Sequence, residues 1–255
     1  MGNSKRGQLT IFIIVAIIIV VILLVFLSLS SNINPISLFN KPESLGIPER
    51  VEGCIENSTL DSVYFLGLQG GYFYNIPDDA ENYGDLYIPV YLDEGGKMNL
   101  PSKTVLESEL NLAIKEILKL CVGEFGEEES QGYVITVGEV KSVNLKIGQD
   151  FIDVNVDFPI TMTKGTNSKV LESYNKRVNF KFAEKYDLVY EFVVEQKKDM
   201  KNIPVSYIAE LAKENNFTVE SIDAGNNTEL YTFVFPEKHI GINYMYNFFV
   251  RYPDE

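Results

Sequence analysis

The strongest pattern in this 255-residue chain is an unbroken apolar run close to its start. From Ile11 to Leu27 no side chain is charged or strongly polar. A helix over residues 8–30 would be roughly 35 Å long, which is enough to cross the ~30 Å hydrocarbon core of a bilayer. Cations precede the run and no carboxylate occurs before Glu43, which predicts a cytoplasmic N-terminus. We therefore expect a single-pass transmembrane helix, in contact with membrane lipid, and an extracellular remainder.

Two later segments have the three- and four-residue spacing of apolar positions that is typical of amphipathic helices. The first covers residues 51–69 and is followed by a glycine pair at Gly70 and Gly71, which should end it. The second covers residues 102–122, with Ser102 as the expected N-cap. Its apolar positions are Leu106, Leu110, Ile114, Ile117 and Cys121. Both segments are predicted to be soluble helices with the cysteines on their apolar faces.

Beyond residue 140 the spacing changes to alternation, which predicts strands with one face in water. Residues 143–147 and 152–163 alternate in this way, and Pro159 should place the second strand at a sheet edge or a bulge. Residues 164–168 have the composition of a hairpin loop. The alternation then returns at Val178, Phe180 and Phe182. We expect an antiparallel meander here.

The C-terminal part combines both patterns. Residues 183–200 could form a helix or a strand, and the spacing of their apolar positions favours a helix. Residues 204–215 are predicted to form a second, short helix with a proline at its start, and alternation predicts strands at 217–222, 230–235 and 240–250. The last strand should place on one face Ile240, Ile242, Tyr244, Tyr246, Phe248 and Val250. The expected fold class is α+β, an N-terminal transmembrane helix followed by an exposed domain of helices packed on an antiparallel sheet.

Composition divides the chain into four parts. Residues 1–7 form a leader, and residues 8–30 form the hydrophobic transmembrane or filament-core helix. Residues 31–50 are rich in Ser, Asn and Pro, which predicts a stalk because proline interrupts helices. Residues 51–255 form the extracellular domain, which is long enough to bury a core of its own.

The leader carries a short motif, Lys5-Arg6-Gly7-Gln8, directly before the apolar run. It resembles the class III signal peptide of archaeal type IV pilin-like proteins and archaellins, over about the first 25 residues. Thr10 matches the small hydroxyl residue of many such pilins. Phe12 departs from their usual Glu, which archaellins also lack.

This resemblance implies processing by a membrane-embedded prepilin peptidase. The peptidase would cut on the cytoplasmic side, between Gly7 and Gln8, and the hydrophobic helix would be retained. The chain would then serve as a pilin-like subunit or minor pilin with a structural or adhesive role. Its partners would be the peptidase and other pilin-like subunits, at the cell surface and in a filament.

A second interpretation needs no peptidase. The apolar run is too long for an ordinary cleaved signal peptide, and residues 28–31 match the usual cleavage pattern poorly. The helix would then be an uncleaved signal anchor. The extracellular domain would be a module that binds a ligand or a protein partner.

Charge restricts the choice of partners. The chain has a formal net charge of −14, and without Lys5 and Arg6 the remainder carries −16. A field of this sign repels phosphate backbones, so we expect no binding to nucleic acid.

The two cysteines, Cys54 and Cys121, are too far apart for a C-x-x-C motif, and no histidine cluster accompanies them. A zinc site is therefore not predicted. Outside the membrane, a structural disulfide is the first hypothesis. Two buried free thiols are the alternative.

Three N-glycosylation sequons lie in the extracellular domain, at Asn57, Asn216 and Asn226. Each sequon could carry a glycan on a surface protein. Asn226 lies in a stretch of turn composition and is expected to be the most accessible of the three.

The sequence contains no recognisable catalytic constellation. His239 is the single histidine, and we expect it in an exposed hairpin turn without a catalytic partner. The acidic residues 127–129 are expected to form a solvated loop, and the aromatic residues of the last strand a sheet core rather than a carbohydrate groove. We therefore predict no enzymatic activity, no metal and no cofactor.

Overall fold

A computed structural model describes residues 46–121 and 132–254 of the chain. The predicted leader and transmembrane helix, and the acidic residues 127–129, lie outside these ranges. None of the helices within them is long and apolar enough to cross a membrane. The described helices are α1 (Ile47–Leu68), α2 (Lys103–Cys121), α3 (Phe182–Lys198) and α4 (Val205–Glu214).

The strands follow the same order along the chain. They are β1 (Glu81–Tyr83), β2 (Leu86–Ile88), β3 (Val90–Leu92), β4 (Val134–Val137), β5 (Ser142–Ile147), β6 (Ile152–Lys164), β7 (Asn167–Val178), β8 (Thr218–Gly225), β9 (Thr228–His239) and β10 (Ile242–Arg251). The predicted α+β class is confirmed for this part of the chain, and the sheets are mixed as well as antiparallel.

The first large sheet has the strand order β3-β10-β9-β8. β8, β9 and β10 are joined by tight turns and pair antiparallel, whereas β3 pairs parallel to the end of β10. Alternation along β10 buries Tyr244, Tyr246, Phe248 and Val250 completely. The prediction for this strand is wrong at its start, because Ile240 and Ile242 are exposed. Ile240 lies before β10, and the register of β10 against β9 shifts between Asn243 and Tyr244, so the alternation that buries Tyr244 does not extend back to Ile242.

The second large sheet is built around the long strand β6. β7 pairs with one side of β6 along its length, while β5 and β4 pair in turn with the other side. The register of β6 against β7 shifts between Asp157 and Ile160, which confirms a bulge at Pro159. The edge position is wrong, since β6 is central. Gly165 and Thr166 alone form the turn to β7, and Gly165 has the positive φ of 60° that a type II′ turn needs at this position.

Two boundary predictions are corrected. The strand expected around residues 178–182 lies earlier, because β7 ends at Val178 and Phe182 already begins α3. Most side chains of β7 are exposed on both faces, so its sequence lacks the alternation that indicates a strand. The stalk also ends earlier than residue 50. Ile47 is buried and starts α1, and Pro48 fits the first turn because its missing N–H needs no partner there.

Helix α1 ends where the glycine pair predicted. The N–H of Gly71 donates to the carbonyl of Leu66 at 2.7 Å, and that of Gly70 donates to Gly67 at 3.2 Å. With Gly70 at φ 58°, these bonds form a Schellman motif. The predicted N-cap of α2 is confirmed too, because Ser102 Oγ accepts from the N–H of Val105 at 3.3 Å.

The core lies between the helices and the inner faces of both large sheets. Helix α1 contacts β7 of the second sheet and β10 of the first. Phe192 of α3 packs on the first sheet, with ring centroids 4.9–5.9 Å from Tyr231, Phe233 and Phe248. One continuous cluster of buried apolar side chains therefore joins elements from the start to the end of the described chain.

Candidate functional site

The predicted disulfide is present. Cys54 of α1 and Cys121 of α2 are bonded, with their Cα atoms 5.7 Å apart. Cys54 is partly buried against the core, but Cys121 is exposed at the last residue of its helix. The expectation of an apolar face is wrong for Cys121, because Leu118 continues the buried stripe of α2 instead. The bond therefore closes at the solvent-facing end of the helix pair.

All three sequon asparagines are exposed. Asn57 lies on α1, where the Thr59 hydroxyl of its sequon is buried and donates to the carbonyl of Ile55 at 2.7 Å. Asn216 follows α4, and Asn226 lies in the turn between β8 and β9. Each asparagine is thus open to solvent, although the sequon residues Thr59 and Thr228 are buried, and glycosylation itself stays a prediction.

His239 does not lie in an exposed turn. Its Nε2 is 2.8 Å from Oδ1 of Asp61, and its side chain is only 15 % exposed. The His239 ring centroid lies 5.5 Å from that of Tyr64, whose hydroxyl donates to the backbone carbonyl of Glu237 at 2.9 Å. None of these described contacts supplies a serine, threonine or cysteine nucleophile. The arrangement ties α1 to the end of β9 and is not a catalytic triad.

An ion pair between a buried lysine and a partly exposed glutamate lies close to this histidine. Lys185 of α3 is almost fully buried, and its Nζ lies 2.5 Å from Oε1 of Glu237. The same Nζ lies 5.2 and 5.4 Å from the ring centroids of Phe180 and Phe235, within the range of cation–π attraction. The side chains of Lys185 and His239 are therefore both occupied by contacts that hold β9 against the helices.

The most unusual surface of the described chain is the end of the β9–β10 hairpin. We define the hairpin patch as Phe65, Leu68, Ile240, Ile242 and Met245. These side chains line most of a shallow, mainly apolar cavity of about 240 Å³, together with Asp61, Tyr64, His239 and Asn243. Ile240 is 79 % exposed and Ile242 57 % exposed. Exposed apolar patches of this kind commonly mark contacts with other molecules.

Ile240 also has an unusual backbone conformation. Its φ is +51°, followed by Gly241 at +79°. A β-branched residue in this region is a conformational outlier. Strained residues of this type concentrate at functional positions, so the conformation draws attention to the same patch.

A second exposed surface is the outer face of β5, β6 and β7, which no described helix covers. Its residues pair across the strands in polar rows, such as Asn144 with Asn155 and Asn155 with Asn175. In the neighbouring row Asp153 accepts two hydrogen bonds from Arg177, at 2.7 and 3.0 Å. An open concavity of about 790 Å³ lies over these rows. The face can offer hydrogen bonds to a polar surface but contains no reactive cluster.

The residues described here do not include a group of three or more His, Cys, Asp or Glu side chains that could hold a metal ion. Sequence reasoning missed the Asp61–His239 contact and the hairpin patch. One sequence feature could have indicated the patch, namely the Ile240-Gly241 dipeptide at a hairpin end. The alternation pattern instead assigned Ile240 to the buried face of the last strand. The structure also removes the carbohydrate groove on the last strand, because its aromatic side chains are core.

Comparison with known proteins adds no assignment to this geometry. No protein-family model matches the chain, and no curated protein or solved structure is significantly similar to it.

Proposed function

We propose that this chain is a membrane-anchored cell-surface protein, a pilin-like subunit processed by a prepilin peptidase between Gly7 and Gln8. One observation carries the proposal. Lys5-Arg6-Gly7-Gln8 stands directly before an apolar run that is long enough to span a bilayer. The mature chain would keep this run as its anchor, with the domain from Ile47 onward outside the cell.

The disulfide supports an extracellular location. Bonds of this kind persist in oxidising compartments and are rare where cellular thiols keep cysteines reduced. Cys121 is exposed, so soluble thiols could reach the Cys54–Cys121 bond. A compartment without such reductants suits this bond better than the cytosol.

The exposed surfaces support a structural or adhesive role. The hairpin patch and the polar face of β5, β6 and β7 are open surfaces that could contact other molecules. The polar side chains around His239, by contrast, bind one another within the fold. A second candidate function is an uncleaved signal-anchor protein whose extracellular domain binds a partner. The hairpin patch favours it equally, so processing is the property that separates the two.

The test is the mature N-terminus of the full chain, purified from membranes of a host that contains a prepilin peptidase. For the wild-type chain we expect an intact mass that lacks residues 1–7. Gly7→Val should block processing and leave the leader in place, whereas the control Gly2→Val, in the same leader, should be processed normally. An unmodified chain that retains its leader beside an active peptidase contradicts the pilin-like assignment and leaves the signal-anchor function.

A further inference from the structure

Strand β8 forms an open edge of the first large sheet. It ends the strand order β3-β10-β9-β8, and seven of its eight residues are exposed. Within residues 46–121 and 132–254, no other element donates to or accepts from its outward-facing backbone. An unpaired edge of this length is a template for pairing with another strand. β8 contains no proline and no lysine, two residues that commonly protect edges. Its own protection is limited to the carboxylates of Glu220 and Asp223 and a register shift before Gly225.

Parts of two other edges in the described chain are covered. The N–H groups of Leu145 and Ile147 in β5 donate to Asn111 Oδ1 and Glu107 Oε1 of α2, both at 3.0 Å. The unpaired side of β10 lies against α1, where Asn247 Nδ2 donates to the carbonyl of Leu68 at 3.0 Å. The outer sides of β4 and β7 have no described backbone partner either, but β4 has only four residues and β7 carries Lys169 and Lys176. β8 is longer than β4, and it has neither a cover from the described chain nor a lysine.

Two of the three sequons stand at the ends of β8. Asn216 lies two residues before the strand, and Asn226 directly follows it. At 3.3 Å per residue, about 30 Å of strand separates the two side chains. Substituents on both would therefore flank the open edge along its length.

Local structure fixes both asparagines on the surface. Asn216 has φ 53° at the end of α4, and the N–H of the next residue, Phe217, donates to the carbonyl of Ala212 at 3.1 Å. Phe217 is buried and stacks on Phe233, so the Asn216 side chain is left outside. Asn226 and Asn227 have φ 53° and 54°, as in a type I′ hairpin turn.

The turn at Asn226 opens beside a polar cleft. The cleft has a volume of about 540 Å³, and among its lining residues are Glu81, Asn82, Tyr83 and Arg251. Tyr83 is 44 % exposed and offers a ring face, while the polar side chains offer hydrogen bonds. These are the groups that a sugar attached to Asn226 could contact.

We propose that N-linked glycans on Asn216 and Asn226 cover the open edge of β8. Glycans are bulky and solubilising, so they would keep a second strand from approaching. In each transfer a bond forms between asparagine Nδ2 and C1 of the sugar of a lipid-linked oligosaccharide donor. The C1–O bond to the donor phosphate breaks, its electron pair leaves with the lipid phosphate, and the amide loses one proton. The inference rests on the proposed function, because the donor reaches only a chain exported from the cytosol.

The first experiment is peptide mass mapping of the full chain purified from its native membranes. We expect hexose-containing additions on the peptides that contain Asn216 and Asn226. Asn216→Gly and Asn226→Gly should each remove one addition. Glycine suits these variants because it adopts a positive φ without strain, so the turns should be kept. Unmodified asparagines in a chain that begins at Gln8 would overturn this inference and leave the proposed function standing. Unmodified asparagines with a cytosolic domain would remove both.

The second experiment measures association in detergent solution by sedimentation. The Asn216→Gly/Asn226→Gly double variant should shift from the mass of one chain to that of two or more. Adding Ser221→Lys, which places a charge on the exposed edge, should restore the single-chain mass, whereas Ser221→Thr should not. The Asn57→Gln variant, whose sequon lies away from β8, should remain a single chain, as the wild-type protein does. A double variant that remains a single chain overturns the role of the glycans as an edge cover.

Discussion

At the scale of single residues, Ile240 is the position where backbone preference and sequence disagree most. An L-residue in the left-handed region is destabilised by roughly 1–2 kcal/mol, and Ile240 is a β-branched residue held there. Its side chain is 79 % exposed, so burial offsets little of that strain. The isoleucine is therefore better explained by contact with another molecule than by stability of this fold.

Ile240→Asn should raise the free energy of unfolding by about 1 kcal/mol, since Asn-Gly is the preferred pair of a type I′ turn. The measurement is chemical denaturation of the domain. Ile242→Asn is the matched control, because Ile242 is also exposed but has an ordinary φ, and it should bring no gain. A loss of stability for Ile240→Asn would show that the isoleucine supports the fold after all.

Glu109 is the residue that links stability to pH most directly. It is buried, and one of its carboxylate oxygens accepts backbone N–H bonds from Phe73, Tyr74 and Asn75, at 2.9, 2.7 and 3.2 Å. Burial raises the pKa of Glu109, but these bonds and one from the Asn75 side chain outweigh burial and hold the pKa below its ordinary value. A lowered pKa contributes stability that is present above the ordinary glutamate pKa and disappears as pH falls through the folded-state pKa.

We expect the free energy of unfolding to decrease as pH falls below about 4.3, the ordinary glutamate pKa. Glu109→Gln should destabilise the domain by about 1–3 kcal/mol at pH 7 and should reduce that acid dependence. The measurement is a set of denaturation curves recorded from about pH 3 to about pH 7, a range that brackets the ordinary glutamate pKa. Glu116→Gln, at a 57 % exposed side chain on the same helix, should leave the acid dependence as it is.

At the scale of elements, spacing of apolar residues was sufficient for most helices and for the strands with one wet face. Helix α2 and strands β5 and β6 lie close to their predicted bounds, since each buries one regular stripe. Strand β7 was not predictable in this way, because it pairs with β6 while leaving most side chains in water. The parallel pairing of β3 with β10 joins segments about 160 residues apart, which local patterns cannot reveal.

The crossing of α1 and β10 requires a glycine. A Cβ on Gly67 would lie 2.2 Å from the carbonyl oxygen of Met245 and 2.8 Å from the ring of Tyr244. Gly67→Ala should therefore lower the free energy of unfolding by about 1–3 kcal/mol, as overpacking does. Gly53→Ala, in the same helix, meets nothing within 4 Å and should stabilise by about 0.5–1 kcal/mol. Thermal unfolding of both variants is the measurement, and equal effects would contradict the close crossing.

At the scale of the whole molecule, α1 is the element that meets both large sheets, and the disulfide joins it to α2. The bond closes a loop of 67 residues, which on the chain-entropy model stabilises by about 4 kcal/mol. Reduction should lower the free energy of unfolding by about this amount. In the Cys54→Ser/Cys121→Ser variant, the reductant should have no further effect. Stability that does not change on reduction would mean that packing alone holds the two helices together.

The candidate surfaces were less predictable than the fold for a physical reason. Asp61 and His239 are 178 residues apart and meet only after β9 and α1 have packed. The hairpin patch likewise joins α1 with β10. The disulfide, by contrast, was predictable because the chain offers just two cysteines.

If the chain is held by the N-terminal anchor proposed above, the position of the disulfide has a mechanical consequence. Tension that enters at Ile47 and leaves through a load-bearing contact such as the hairpin patch meets Cys54 after seven residues. From there the covalent link carries the pull to Cys121, and the segment between the two cysteines, which are 67 positions apart, cannot be drawn out. Those residues would otherwise lengthen the tether by roughly 220–240 Å when fully extended. With the disulfide intact, the domain can extend little near its N-terminal end. With the disulfide reduced, the same force could separate α1 from both sheets.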